Sequence, residues 1–346
     1  MSLRILSIDG GGIRGIVAAR MLEVIESQLN RPLREHFDLI AGTSTGALIA
    51  AGLMVGKSPT QLVNLYLQRG TQIFPYQNWW SPQRLPLILK YGLSAPKFSD
   101  RGLIQTVRSL GLDMPLVEVA AQVDQTAKLM MVSYDTIRRS PVVFKSWRRD
   151  EWYATVPLWQ ACVCSAAAPT YFPAQRLRVT TAQRDCEFSM IDGGVGANNP
   201  TACAVAEAVR LLRSRSGAAP TPPPSMDRIV NQISVLSLGT GALAQALPWQ
   251  EINGWGALQW APRIVDVVME APADIHRYIA EQIVTTVGSP DDAQTYLRLQ
   301  PALDQKFGAI DNASPGYLRQ LLEQTDAYLA TQIPQIKTFF APTETP

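Results

Sequence analysis

Three glycine-rich turns carry the residues of this chain best suited to covalent chemistry. The first, Gly42-Thr43-Ser44-Thr45-Gly46, is a GxSxG pattern between an apolar run and the helix-like stretch ALIAAGLM. A sharp strand-to-helix turn crowds its central residue, and small neighbours such as Gly42 and Gly46 leave the hydroxyl exposed at the helix start. Ser44 is therefore the expected nucleophile, and the Thr45 amide after it an expected donor to a developing oxyanion. The second turn, Asp9-Gly10-Gly11-Gly12-Ile13-Arg14-Gly15, admits two readings. Gly10, Gly12 and Gly15 satisfy the GxGxxG dinucleotide fingerprint, with Asp38 about where a ribose-binding acid is sought, which would make the protein an oxidoreductase. Alternatively, Gly10, Gly11 and Gly12 present their amides beside Ser44 as an oxyanion hole. Asp9, a carboxylate where pyrophosphate would lie, and the position of Asp38 within its strand candidate both weigh against the dinucleotide reading.

A serine nucleophile needs a base, and the chain holds only two histidines. His36 starts the run that ends at Ser44, and at roughly 3.3 Å per residue the two lie more than about 15 Å apart. His276 follows in the chain order of the α/β-hydrolases, but it sits in APADIHRYIAEQIV, an amphipathic helix with Ile275, Ile279 and Ile283 on one face. The third turn, Asp192-Gly193-Gly194, offers a carboxylate at the end of a strand, with glycines that let another backbone approach. An ordinary aspartate, with a pKa of about 3.9, is a poor base for a hydroxyl, so Asp192 can act only in a desolvated site.

The elements that must position these turns follow from periodicity. Residues 3–8 form a strand, and Ala18, Met21, Leu22, Ile25 and Leu29 then recur at helical spacing; 37–41 and ALIAAGLM repeat the unit. Strand, turn, helix twice over predicts a parallel sheet with helices packed on it, and parallel strands bring the first two turns to one sheet edge. A helix over 102–110, strands at 129–133, 188–191 and 233–238, and a helix over about 200–212 extend the pattern. The Pro-rich stretch 214–226 reads as a surface loop, and residues 72–97 as an irregular, lid-like segment. Its Trp79 and Trp80 are either an interfacial anchor or a cover over the core. The whole chain, 1–346, is expected to be one domain with a helical C-terminal region from about 250 onward.

Composition narrows the function classes. The 346 residues are 47% apolar and 17% charged with a net charge of +2, which excludes a disordered chain and gives no sign of a nucleic-acid partner. Four cysteines with no CxxC pair suit neither a disulfide-framed module nor a zinc site, and no DxDxDG calcium loop is present, so no metal or cofactor is expected. Without a signal peptide or an apolar run long enough to span a bilayer, the chain is expected in the cytoplasm, working peripherally at the inner membrane surface.

DGGGIRG, GTSTG and DGGV, in that order, resemble the patatin-like phospholipase family, and the resemblance continues through SAAAPTYFPA (165–174), ANNP (197–200) and SLGTG (237–241). It implies a three-layer α/β/α fold with a mainly parallel central sheet. It also implies hydrolysis of glycerolipid acyl esters by a Ser–Asp dyad, carried onto Ser44 and Asp192, with an oxyanion hole on the Gly10–Gly12 amides. Arg14 matches the arginine of the family's glycine motif, orienting that loop, meeting a lipid phosphate or bonding loop carbonyls. GWGALQWAP and the helix after it resemble bacterial members that a cyclic nucleotide activates in antiphage defence, which would give His276 and Arg277 a place near an activating ligand.

Overall fold

The computed structural model describes residues 3–29, 31–121, 127–180, 185–215, 225–243, 247–285 and 295–341. Most of the Pro-rich stretch expected as a surface loop, 216–224, lies outside the described residues. The sheet has eight strands: β1 (Leu3–Ile8), β2 (Leu39–Thr43), β3 (Lys128–Asp135), β4 (Ser140–Lys145), β5 (Gln175–Thr180), β6 (Asp185–Asp192), β7 (Ile233–Leu238) and, beyond the short β8 (Ala242–Leu243), β9 (Tyr296–Leu299). Their order is β5-β6-β3-β2-β1-β7-β9, with β4 also paired to β3. The core strands β3, β2, β1, β7 and β9 run parallel; β4, β5 and β6 pair antiparallel.

The strands read as nearly unbroken apolar runs because both faces are covered, and their side chains alternate between two cores. Leu6, Ile8, Ile40, Leu129, Met131, Leu236 and Leu299 enter one; Leu3, Ile5, Leu39, Met130, Ile233 and Val235 enter the other. Helices Gly15–Ser27, Thr45–Met54, Pro59–Ile73 and Pro315–Phe340 cover the first face, and Thr201–Arg215 with the end of Ala257–Val284 covers the second. The result is the three-layer α/β/α arrangement with a mainly parallel sheet. Pro59–Ile73 starts where Ser58 and Gln61 form a capping box, the Ser58 Oγ accepting from the Gln61 amide at 3.2 Å and the Gln61 Oε1 from the Ser58 amide at 3.0 Å.

Two expectations need correction. The region beyond 250 is not only helical: it supplies β9, the outermost parallel strand, and β10 (Ala302–Leu303), which pairs with β8. Periodicity missed them because they are short. Residues 72–97 are not wholly irregular, since they hold the helix Leu85–Tyr91. The stripe Ile275, Ile279 and Ile283 is largely exposed, while Ala280 and Val284 beside it reach the core. No described helix is long and apolar enough to cross a membrane.

Candidate active site

β1 and β2 run parallel, with Ile5–Ile8 opposite Leu39–Gly42, so the glycine turn after β1 and the serine turn after β2 emerge at the same edge. The carboxylate arrives by a different route. β2 occupies β3 from Lys128 to Val132, and the antiparallel β6 takes up the adjoining positions, Asp192 opposite Ser133. The two strands thus meet end to end along β3, one finishing at Thr43 and the other at Asp192. Register alone brings together residues that are 148 positions apart, and the Ser44 Oγ donates to Asp192 Oδ2 at 2.6 Å.

Ser44 precedes the helix Thr45–Met54 with φ 55° and ψ −122°, a strained conformation costing about 1–3 kcal/mol. The surroundings hold it there. Its amide donates to Ser165 Oγ at 2.9 Å, and that hydroxyl donates to the Val132 carbonyl at 2.5 Å. Gly42 and Gly46 are required by contact: a Cβ on Gly42 would lie 2.3 Å from the Gly46 carbonyl oxygen, and one on Gly46 2.2 Å from that of Ile8. The Asp192 Oδ1 accepts from the Gly194 amide at 2.7 Å, and the Gly193 amide donates to the Ser165 carbonyl. Asp192 is completely buried. Burial pushes its pKa up to about 6, although the Ser44 hydroxyl and the Gly194 amide favour the ionised form.

The glycine turn differs from expectation at one donor. The Gly10 amide is occupied, donating to the Asn198 carbonyl at 3.0 Å, while the Gly10 carbonyl accepts from Thr240 Oγ1 at 2.7 Å. The amides of Gly11 and Gly12 meet no acceptor among the described residues, and Thr45 opens its helix, where an amide has no intrahelical partner. All three residues line one cavity with Ser44 and Asp192, and the rest of its wall is largely apolar, including Leu48, Ile73, Phe74, Leu103 and Phe172. Arg14 is buried and lines an adjoining cavity with Asn198 and Met269.

Asp9 is not a phosphate-facing carboxylate. It accepts from both terminal nitrogens of Arg298 on β9, at 3.1 and 2.6 Å, and Arg298 also donates to Ser237 Oγ. Asp38 precedes β2 at the opposite edge and accepts from the Arg4 amide at 2.9 Å, so the acid that the dinucleotide reading needs is on the wrong side of the sheet. Arg298→Met should destabilise the fold by about 3–5 kcal/mol, since it strands a buried carboxylate, and adding Asp9→Asn should restore most of that. Urea unfolding of wild type and the two variants at pH 8 measures both.

Neither histidine lines the cavity. His36 lies in the turn Leu33–His36 with its ring edge-on to Phe340, its pKa lowered by burial and the nearby Arg31 and Arg4. Arg277 is held by Glu281 and Asp274 on its own helix, the former at 2.8 Å. Of the partners that residue-by-residue reasoning missed, Ser165, Asn198 and Thr240 fall inside the segments SAAAPTYFPA, ANNP and SLGTG. Arg298 had no such signal.

The fold and site define a serine ester hydrolase. The family model described as patatin-like phospholipase matches residues 6–205, and the chain belongs to that family. Among its relatives, Patatin-like protein 3 of Arabidopsis thaliana is 29% identical over 367 residues, covering 96% of this chain and 82% of its own. A Solanum tuberosum protein named Probable inactive patatin-3-Kuras 1 is 30% identical over 336 residues, covering 90% and 82%. Similarity of this order therefore includes a relative described as inactive, and the catalytic case rests on this chain's own groups. Among solved structures, VipD from Legionella pneumophila aligns with TM-score 0.38 and 12% identity over 94% of this chain and 67% of that one, too distant to argue from.

Proposed function

We propose that the protein is a phospholipase A-type acyl hydrolase working through a Ser44–Asp192 dyad. The observation that carries this is the 2.6 Å hydrogen bond from the Ser44 hydroxyl to a buried carboxylate at the base of an apolar cavity. The acyl chain occupies the apolar wall and brings its ester carbonyl to Ser44. As Oγ attacks the carbonyl carbon, its proton passes to Asp192 Oδ2, and the amides of Gly11, Gly12 and Thr45 receive the negative oxygen. Loss of one such donor costs roughly 10²–10³ in kcat. Collapse of the tetrahedral intermediate breaks the bond to the alcohol, which takes the proton from Asp192 and leaves the acyl group on Ser44. Asp192 then accepts a proton from water as the water oxygen attacks the acyl carbon; the second tetrahedral intermediate collapses, breaking the bond to Ser44 Oγ, which takes the proton back from Asp192 as the fatty acid is released.

A base near pKa 6 is mostly ionised at neutral pH, so kcat/KM for a soluble ester should climb through an acid limb centred near pH 6 and then level off. A pH–rate profile checks this, and a limb centred near 4 would place the base in water. His276→Ala should keep its rate within about threefold, because no histidine enters the cycle. The function is tested by mass spectrometry of products from mixed glycerolipids: free fatty acid with a matching lyso-lipid is expected, and absence of both ends the reading.

A further inference from the structure

One wall of the cavity that holds Ser44 leads along the chain into a strap whose apolar side chains face outward. Ile73 and Phe74 line the cavity, the chain leaves the wall there, and it comes back at Phe98, which packs against the lining residues Phe74 and Phe172. The Phe98 amide donates to the Tyr171 carbonyl at 2.8 Å, and the Lys97 amide donates to the Thr170 carbonyl at 2.9 Å. Between these anchors the helix Leu85–Tyr91 has no buried residue. Trp80 is 87% exposed, Leu89 79% and Leu93 84%, with Leu85 and Tyr91 also exposed. A loop that merely covered the core would turn these side chains inward.

The strap is nevertheless fixed in place. The buried Arg84 guanidinium donates to the Trp79, Ala95 and Pro96 carbonyls and stacks on the Trp79 ring at 4.8 Å, tying the two limbs together. Lys97, also buried, pairs with Asp311, the neighbour of the cavity residue Ile310. Buried cations are tolerated when paired in this way, and here they hold an apolar surface out toward solvent.

The geometry points to residues 79–93 as the surface by which this protein docks on a lipid bilayer, with Trp80, Leu89 and Leu93 entering the headgroup boundary. Charge favours that occupant. No aspartate or glutamate occurs from Pro75 to Ser99, and the exposed Lys90 can reach lipid phosphates. Tryptophan and tyrosine beside leucines are the side chains that partition to this boundary. The inference rests on the glycerolipid reading of the site, because a substrate drawn from a bilayer must enter the cavity that this strap adjoins.

The test compares wild type with Trp80→Ser/Leu89→Ser and, as a control, Met226→Ser, an exposed residue before β7 at the opposite sheet edge. Sedimentation with vesicles of phosphatidylcholine and a minor fraction of phosphatidylglycerol should show partitioning of the double variant reduced on the order of a hundredfold, roughly tenfold for each apolar side chain removed. The control should be unchanged. Hydrolysis of vesicle lipid should fall in parallel, while hydrolysis of a monomeric short-chain ester stays at the wild-type rate. Equal partitioning of double variant and wild type overturns the docking surface, as does a wild-type dimer in light scattering that the double variant disperses while its vesicle binding is unchanged. If wild type binds vesicles yet releases no fatty acid from them or from detergent-dispersed lipid, the catalytic reading fails and the docking surface stands.

Discussion

Ser44→Ala is expected to lower kcat for ester hydrolysis on the order of 10⁵-fold with little change in unfolding free energy. The rate falls because no other hydroxyl occupies the strained turn: the neighbouring Thr45 Oγ1 is engaged with Tyr66, and the Ser165 hydroxyl is spent between the Ser44 amide and the Val132 carbonyl. What remains is binding and oxyanion stabilisation without an acyl-enzyme, which still exceeds the reaction in water. Stability changes little because the strain of the turn is unchanged and only one hydrogen bond is lost. Alanine at φ 55° is as strained as serine, and the lost hydroxyl leaves Asp192 with one fewer donor in a dry site. Single-turnover kinetics with a chromogenic ester and thermal unfolding of the same preparation check both. A variant that retains more than a hundredth of the rate would place the nucleophile elsewhere.

Asp192→Asn should lower kcat roughly 10³- to 10⁴-fold and, unusually for a catalytic variant, stabilise the protein at neutral pH. Asparagine keeps the shape and can still accept from the Gly194 amide, but it cannot take the serine proton. The stability effect follows from linkage. Asp192 has a folded-state pKa of about 6 against an ordinary value of 3.8, so folding penalises its ionised form. The penalty is absent below about pH 4, where both states are protonated, grows between about 4 and 6, and is complete above 6. A rise from 3.8 to about 6 corresponds to about 3 kcal/mol, an upper figure for the gain of Asp192→Asn at pH 8. Urea denaturation of wild type and variant at pH 4 and pH 8 should therefore show curves that converge in acid and separate in base. Separation at pH 4 with convergence at pH 8 would reverse the sign and remove the desolvated base from the mechanism.

The strand-turn-helix units around Ser44 and after β1 were readable because their signals are local. Strand pairing alternates every residue, helix packing recurs every three or four, and a tight turn needs small residues within five positions of one another. The same locality explains the failures. β9 is four residues long, too short to show a period, so no periodic signal marked it. Yet its Arg298 holds Asp9 at the foot of the glycine turn. The Gly10 amide looked available because nothing near it in sequence accepts its proton, and its acceptor is Asn198.

The sequence by itself determined which side chains can do the chemistry, the alternation that buries both faces of the sheet, and the family to which the motifs belong. Only the tertiary structure decided that β6 meets β2 head-on along β3, that Gly11 and Gly12 but not Gly10 keep open amides, and that Asp192 is completely buried. The reason is physical: residue type and spacing fix what a group can donate or accept, whereas its partner and its solvation are set by chain segments that arrive from elsewhere.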